Sequence, residues 1–412
     1  MNTNARLNSM PIGTPFTLRE IMTFLGILLY MVLINKGEYS NYWGTQVEDS
    51  SFGGSSVGLD NIMTIRCFKQ LRQAFTFQYV PPDRPNQDQA ASIRPLLNLL
   101  KSTGSKCVEV GRNVALDESS VASRSKFAKP LVLYNTMKPV GKHHFRIYML
   151  CCTTSWISLN LRLHCRSTIS DRLAGVTTPE TAQALTEDSE LSESSVIRQC
   201  VLEVVCPVYW SRRVVNSDNN YTSVQLLEAL RVKGLYSGGT VRKSSAHFPR
   251  YVLTEKKKCS RGTSRQAVSS SHIIVAASWF DSAIVSVIFS AVSSTLTTVQ
   301  RQIRFVADSP WRTGTPSRRY KKLGMVLVDV ARANGFLTRK LVVNLSADRG
   351  LHRNYMVQLI AELFTGKWKE APSEGVMRFT DTRPTNAASP QPPMSAVWSV
   401  GSSGVDGVAG SP

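Results

Sequence analysis

Acidic side chains are scarce in this chain. It carries 29 Asp and Glu against 49 Lys and Arg, a net charge of +20, and a surface so unbalanced is most readily neutralised by a polyanion. DNA, RNA or an anionic membrane surface would each serve. Long hydrophobic runs are missing as well. The one membrane-like segment, residues 21–34 (IMTFLGILLYMVLI), is 14 residues long, whereas about 20 are needed to span a bilayer. It is expected to be a buried helix, and the polar, Pro-containing lead before it does not read as a signal peptide. The eight cysteines include no CxxC pair, which argues against a structural zinc site. They fall in apolar stretches such as 149–152 and 204–206, where thiols act as small hydrophobes rather than as a disulfide framework. No internal repeat occurs at solenoid periods.

What the chain does have is apolar residue, 42% of 412, enough for two or three domains. Residues 1–15 are expected to be flexible. Residues 16–110 read as helical: a helix over 18–33 behind Thr17 as N-cap, a second over 62–75 and a third over 90–102, separated by Gly/Ser-rich and Pro-rich stretches. From residue 111 the pattern changes to short β-prone runs at 114–116, 131–134, 145–152 and 159–164. A polar stretch over 167–195 leads to a helix at 197–205, a strand at 214–217 and an amphipathic helix over 223–233 stopped by Gly234. Strand, acidic residue, helix is the order of a parallel α/β unit. Residues 245–315 are basic, with two strands at 272–277 and 283–290 expected as a hairpin in an inserted subdomain. Residues 316–368 give a strand over 325–330 and a short helical end. Residues 369–412, rich in Pro, Ser, Gly and Ala, are expected to be disordered.

Three aspartates follow apolar runs: Asp117 after 114–116, Asp218 after 214–215 and Asp329 after 325–328. In an open α/β sheet the strand ends gather catalytic groups, so carboxylates there can meet in space. Two or three converging carboxylates suit magnesium, which prefers oxygen ligands and keeps several waters. A pair of such ions about 4 Å apart assists in-line displacement at a phosphodiester. An Asp after a strand is more often a turn former or helix N-cap, so spacing alone is weak evidence.

The local sequence is more specific. The run 113–150 (NVALDESSVASRSKFAKPLVLYNTMKPVGKHHFRIYML) resembles the first catalytic block of piggyBac-type DNA transposases: Asp-Glu-Ser, a later Arg, then Lys-Pro, Gly-Lys and an aromatic-rich strand. Residues 214–249 resemble the second block, with Asp218, Asn219, Tyr221, Thr222 and Ser223, then Gly239, Thr240, Val241, Arg242 and Lys243 in the family's order. Upstream, residues 24–43 and 93–100 resemble its helical DNA-binding region; downstream, Trp279, Phe280, Asp281 and Ser290 resemble its inserted domain. The third block departs from the pattern. Where the family shows Met-Gly-Gly-Val-Asp and a second acid three residues on, this chain has Met325, Val326, Leu327, Val328 and Asp329, with Arg332 in place of the second acid. Residues 332–347 interrupt the pattern, which resumes at Asp348. The cysteine-rich zinc module found at the end of many family members has no counterpart, since no cysteine follows Cys259.

The resemblance implies an α/β fold with an RNase H-like mixed sheet, preceded by an α-helical DNA-binding and dimerisation domain and carrying a β-rich insertion. It implies cut-and-paste transposition in which Asp117, Asp218 and Asp329 bind Mg2+ (or Mn2+), acting as a homodimer on double-stranded DNA, with no membrane role and a nuclear location. Arg124, Lys138, Lys142, Asn219, Tyr221, Arg242 and Lys243 are the candidate nucleic-acid contacts, although basic residues are usually solvated faces. Glu118 alternates to the face opposite Asp117 and reads as structural or supporting rather than as a ligand. Of His143 and His144, which point to opposite faces of a strand, at most one lines the site. Trp279 reads as a hairpin core residue. Lys256, Lys257, Lys258 and Arg261 resemble a nuclear localisation cluster, a pattern common by chance. The altered third block and the missing cysteines keep open a decayed or domesticated DNA-binding derivative; RNA binding is a third reading.

Overall fold

In the computed structural model the described residues are 14–44, 58–80, 88–105, 108–123, 131–136, 141–165, 195–252, 263–270, 273–280, 283–290, 321–343, 350–370 and 398–401, with Thr3 and Ser260. The first helix, α1 (Leu18–Leu33), begins with a reciprocal cap: Glu20 N–H donates to Thr17 Oγ1 at 3.2 Å and Thr17 N–H to Glu20 Oε2 at 2.7 Å. Two orphan donors are satisfied at once, fixing where the helix starts. Its apolar side buries Phe24, Ile27 and Leu29. With α2 (Ile65–Ala74), this helix surrounds Phe68, which is wholly buried and sits 5.4 Å from the Phe24 ring and 4.9 Å from the Trp43 ring. A third helix, α3 (Arg94–Gly104), lies against the sheet through Leu97 and Leu100. Among the described residues no helix is long and apolar enough to cross a membrane.

The sheet begins with β1 (Asn113–Ala122), β2 (Leu133–Tyr134), β3 (His143–Cys152) and β4 (Ser158–Leu163). Helix α4 (Val196–Val205) follows, then β5 (Val214–Ser217), α5 (Val224–Val232) and β6 (Tyr236–Thr240). Gly234, at φ +69°, supplies the left-handed residue that ends α5, as its sequence position predicts. Three further strands, β7 (Ser264–Ser269), β8 (Val275–Phe280) and β9 (Ile284–Phe289), form a meander. With a last strand, β10 (Trp398–Gly401), all belong to one mixed sheet in the order β10-β7-β8-β9-β6-β5-β1-β3-β2, with β4 also on β3. β1, β5 and β6 run parallel; the other pairings are antiparallel.

β3 is apolar nearly throughout because both of its faces are covered. One face joins Val114, Leu116, Tyr148 and Leu150 to Val201, Val205, Leu226 and Leu230 of α4 and α5. The other joins Val121, Phe145, Ile147 and Met149 to α3 and to the long helix α6 (Lys321–Val343). The last helix, α7 (Leu351–Thr365), packs on α1 through Met356, Ile360 and Leu363 around Leu29.

At four places the structure differs from or adds to the expectations. The run 325–330 is not a strand but part of α6. Leu323, Val326, Leu327 and Val330 face the sheet, while Met325 and Val328 face the N-terminal helices. A helix apolar on both sides loses its visible periodicity and mimics a buried strand. Residues 332–343, which break the family pattern, simply continue α6. The 275–289 hairpin is present, and β9 pairs with β6, so the meander extends the central sheet. Within the C-terminal segment expected to lack structure, β10 (Trp398–Gly401) pairs with β7, whose outer edge offers unpaired backbone groups. The polar stretch over 167–194 lies outside the described residues.

The β5–β6 pairing leaves no room at Gly239, opposite Ser217: a Cβ there would sit 1.9 Å from the Ser217 carbonyl oxygen and 2.5 Å from Thr222 Oγ1. Gly239→Ala is expected to cost about 3 kcal/mol or more through forced separation of the two strands, read as a lowered midpoint in urea unfolding.

Candidate active site

Parallel pairing of β1 with β5 runs from Asn113 opposite Val214 to Leu116 opposite Ser217. One residue further on, the two chains present Asp117 and Asp218. β5 stops there, but β1 does not: it continues to Ala122 against β3, so Asp117 is a mid-strand residue at the point where its neighbour ends. Asp117 alternates with the buried Leu116 and lies on the Val121 side of β1, the side that α6 covers.

Asp218 opens a tightly bonded turn. Its carbonyl oxygen accepts from Tyr221 N at 3.2 Å, Thr222 N at 3.0 Å and Thr222 Oγ1 at 2.8 Å. Its carboxylate accepts from Asn220 N at 2.9 Å and Asn220 Nδ2 at 3.2 Å, an Asp-to-backbone bond two residues on. Ser223 then caps α5, accepting from Leu226 N at 3.1 Å. Burial raises the Asp218 carboxyl above the ordinary carboxylate range, and the Glu118 charge adds to this; the Asn220 N–H and Arg242 oppose it.

Glu118 points the other way from Asp117 and is half-buried, opposite Tyr148 on β3. There Tyr221 Oη donates to Glu118 Oε2. Tyr221 is only 6% exposed, and its ring meets that of Tyr148 edge-on at 6.2 Å. Burial, followed by the bond to Glu118, pushes the Tyr221 hydroxyl far up, so that it stays protonated and acts as a donor.

Asp329 is on α6. Its carboxylate oxygen Oδ1 accepts from Arg332 Nε at 2.6 Å, one turn along the helix. The Arg332 guanidinium also meets His352 Nε2 and, at 3.3 Å, Met356 Sδ, both on α7. Burial and the Arg332 charge lower the His352 imidazole from its usual value, with Asp329 opposing. Asp329 is thus engaged at the α6–α7 contact. Among the described residues no three His, Cys, Asp or Glu side chains gather closely enough to hold a metal ion.

Of the nucleic-acid candidates, Lys142, Asn219, Arg242 and Lys243 are exposed. Arg242 follows the end of β6 and donates to Asn220 Oδ1, so it stands over the Asp218 turn. Tyr221 is instead buried and engaged with Glu118. His144 is wholly buried and His143 exposed, as strand alternation requires. Arg124, Lys138, Asp348, Lys256, Lys257, Lys258, Arg261 and the Trp279 side chain lie outside the described residues. Sequence reasoning passed over Asn220, although an Asp followed two residues later by a turn-forming Asn is a readable signal. The Glu118–Tyr221 bond spans positions 103 apart and left no sequence trace.

The family model described as "Transposase IS4" matches residues 1–320. The chain belongs to the IS4 transposase family. A cryo-EM structure of a piggyBac transposase synaptic complex with hairpin DNA is similar to this transposase over 90% of its chain and 78% of that one, with a TM-score of 0.67 and 18% identity. At that identity the likeness establishes the fold. No curated protein matches the chain.

The raised Asp218 pKa sets a sign. A carboxyl harder to ionise in the folded state favours folding below its unfolded pKa, and this advantage is lost as pH rises through the folded pKa. At neutral pH the ionised Asp218 therefore works against stability. Asp218→Asn is expected to raise the melting temperature at pH 7, and the gain should vanish as pH falls through the carboxylate range, as followed by thermal melts across pH.

Proposed function

We propose that this transposase cuts and joins double-stranded DNA with a divalent metal, and that Asp117 and Asp218 are its metal-binding carboxylates. The observation that carries this reading is their succession to the last paired residues of two neighbouring parallel strands. The donor chemistry supports this reading: two carboxylates, with oxygen donors only, are of the kind magnesium or manganese takes, completed by water and DNA phosphate. Bound there, the metal would polarise a phosphodiester and ease formation of a nucleophilic hydroxide. The protein's own part is positional. Asn220 orients the Asp218 carboxylate, and Lys142, Arg242 and Lys243 offer exposed positive charge to the DNA backbone. The reading includes two copies acting together and a nuclear setting.

Arg332 favours a second reading. An Asp329 held in an ion pair on α6 leaves the carboxylate pair without its third member, which suits a DNA-binding derivative that no longer cuts.

With magnesium and a supercoiled plasmid carrying the element's ends, wild-type protein is expected to nick DNA, and Asp218→Ala to lose the activity by a factor of about 100 or more. Equal nicking by the variant would defeat the first reading. DNA binding without metal-dependent nicking by the wild type would select the second. On either reading, affinity should fall steeply between about 50 and 200 mM salt, and Arg242→Ala should flatten that slope in a fluorescence-anisotropy titration.

A further inference from the structure

We propose that Glu118 is a positioning residue for the aspartate pair, acting through its bond from Tyr221. The inference rests on Asp117 and Asp218 forming the metal site.

Backbone pairing between β1 and β5 ends at Leu116 and Ser217, one residue short of the aspartates. Beyond that point a different connection takes over. Tyr221 is attached to the Asp218 turn through its own N–H, which donates to the Asp218 carbonyl oxygen at 3.2 Å. Through its hydroxyl it is attached to Glu118, the neighbour of Asp117 on β1. One side chain thereby ties the residue after the first aspartate to the loop that carries the second.

Glu118 is half-buried on a mostly apolar face. Glu118 continues the stripe of Val114 and Leu116, on the side packed by Val215, Tyr148 and Tyr221. An apolar side chain there would leave the Tyr221 hydroxyl without this acceptor. A position that only had to pack would not require an acceptor. The tie is also stiff: the Tyr221 ring is held edge-on by Tyr148, whose hydroxyl lies 3.3 Å from His164 Nδ1. Because adjacent residues of a strand face opposite ways, Glu118 can set the place of Asp117 only through the backbone. Residues that orient metal ligands in this indirect manner typically change metal affinity or activity by about 10- to 100-fold when replaced.

The test is Mn2+ binding to the full chain, measured as loss of the free Mn2+ signal in electron paramagnetic resonance, alongside DNA affinity and metal-dependent nicking. Tyr221→Phe and Glu118→Leu are expected to weaken Mn2+ binding about tenfold or more while leaving DNA affinity unchanged. Glu118→Gln keeps an acceptor for Tyr221 at the same length, and should retain Mn2+ binding close to that of the wild type. Circular dichroism melts identify any variant that does not fold; Glu118→Gln, the mildest change, then still decides the matter. Should Glu118→Gln bind Mn2+ as poorly as Asp117→Asn, Glu118 is itself a ligand and the inference is overturned. It is also overturned if Tyr221→Phe binds Mn2+ like the wild type. A wild type that binds no more Mn2+ than Asp117→Asn removes the metal-site reading and this inference together, so the two failures are distinguishable.

Discussion

The pairing of Leu116 with Ser217 across two parallel strands is the constraint on which the rest depends. Side chains alternate along a strand, so a slip of one residue would send Asp117 into the core and bring Glu118 to the other face. The register is held by apolar residues on both strands, with Val114 and Leu116 on β1 and Val215 on β5 buried in one core. It is held also by Gly239 on β6, whose missing side chain lets the third parallel strand close up on Ser217. Hydrophobic burial thus does the aiming, and the carboxylates are carried to their place by residues that have no part in the chemistry.

Asp218 shows what such aiming costs. A carboxylate half withdrawn from water, with a second acid nearby, is a poor choice for stability and a good one for gathering positive charge. The exposed cation beside it, Arg242 after β6, belongs to the large excess of basic residues that characterises the whole chain. Opposite charges meet at one end of the parallel strands, where the sheet leaves loops rather than ladders.

Much of the segment around Asp218 was legible in sequence because its physics is local. A short β-branched run, an Asp, turn-forming Asn residues and a Ser N-cap each act within a few positions, and the structure repeats them in order. β1 was underestimated because the polar residues from Asp117 to Ser120 hide a strand held by its partner rather than by its own apolar content. β6 went unread since Gly238 and Gly239, which strands usually avoid, are needed there for close approach. The run ending at Asp329 was read as a strand for another reason: α6 is apolar toward two different neighbours, and the periodicity that marks a helix is erased when both sides are buried. The Glu118–Tyr221 contact was beyond reach because nothing near either residue announces the other.

The continuation of α6 through residues 332–343 has a wider meaning. Asn334 uses its amide to satisfy both backbone groups of Ser158, accepting from N and donating to O, each at 2.9 Å. Leu337 and Leu341 then join the core on the α4–α5 side, while Leu323 and Val326 belong to the core on the other. A single helix is thereby built into both hydrophobic interiors and bonded to the strand between them. Neither interior can loosen without drawing on the other, so segments far apart in the chain are bound into one cooperative unit of unfolding.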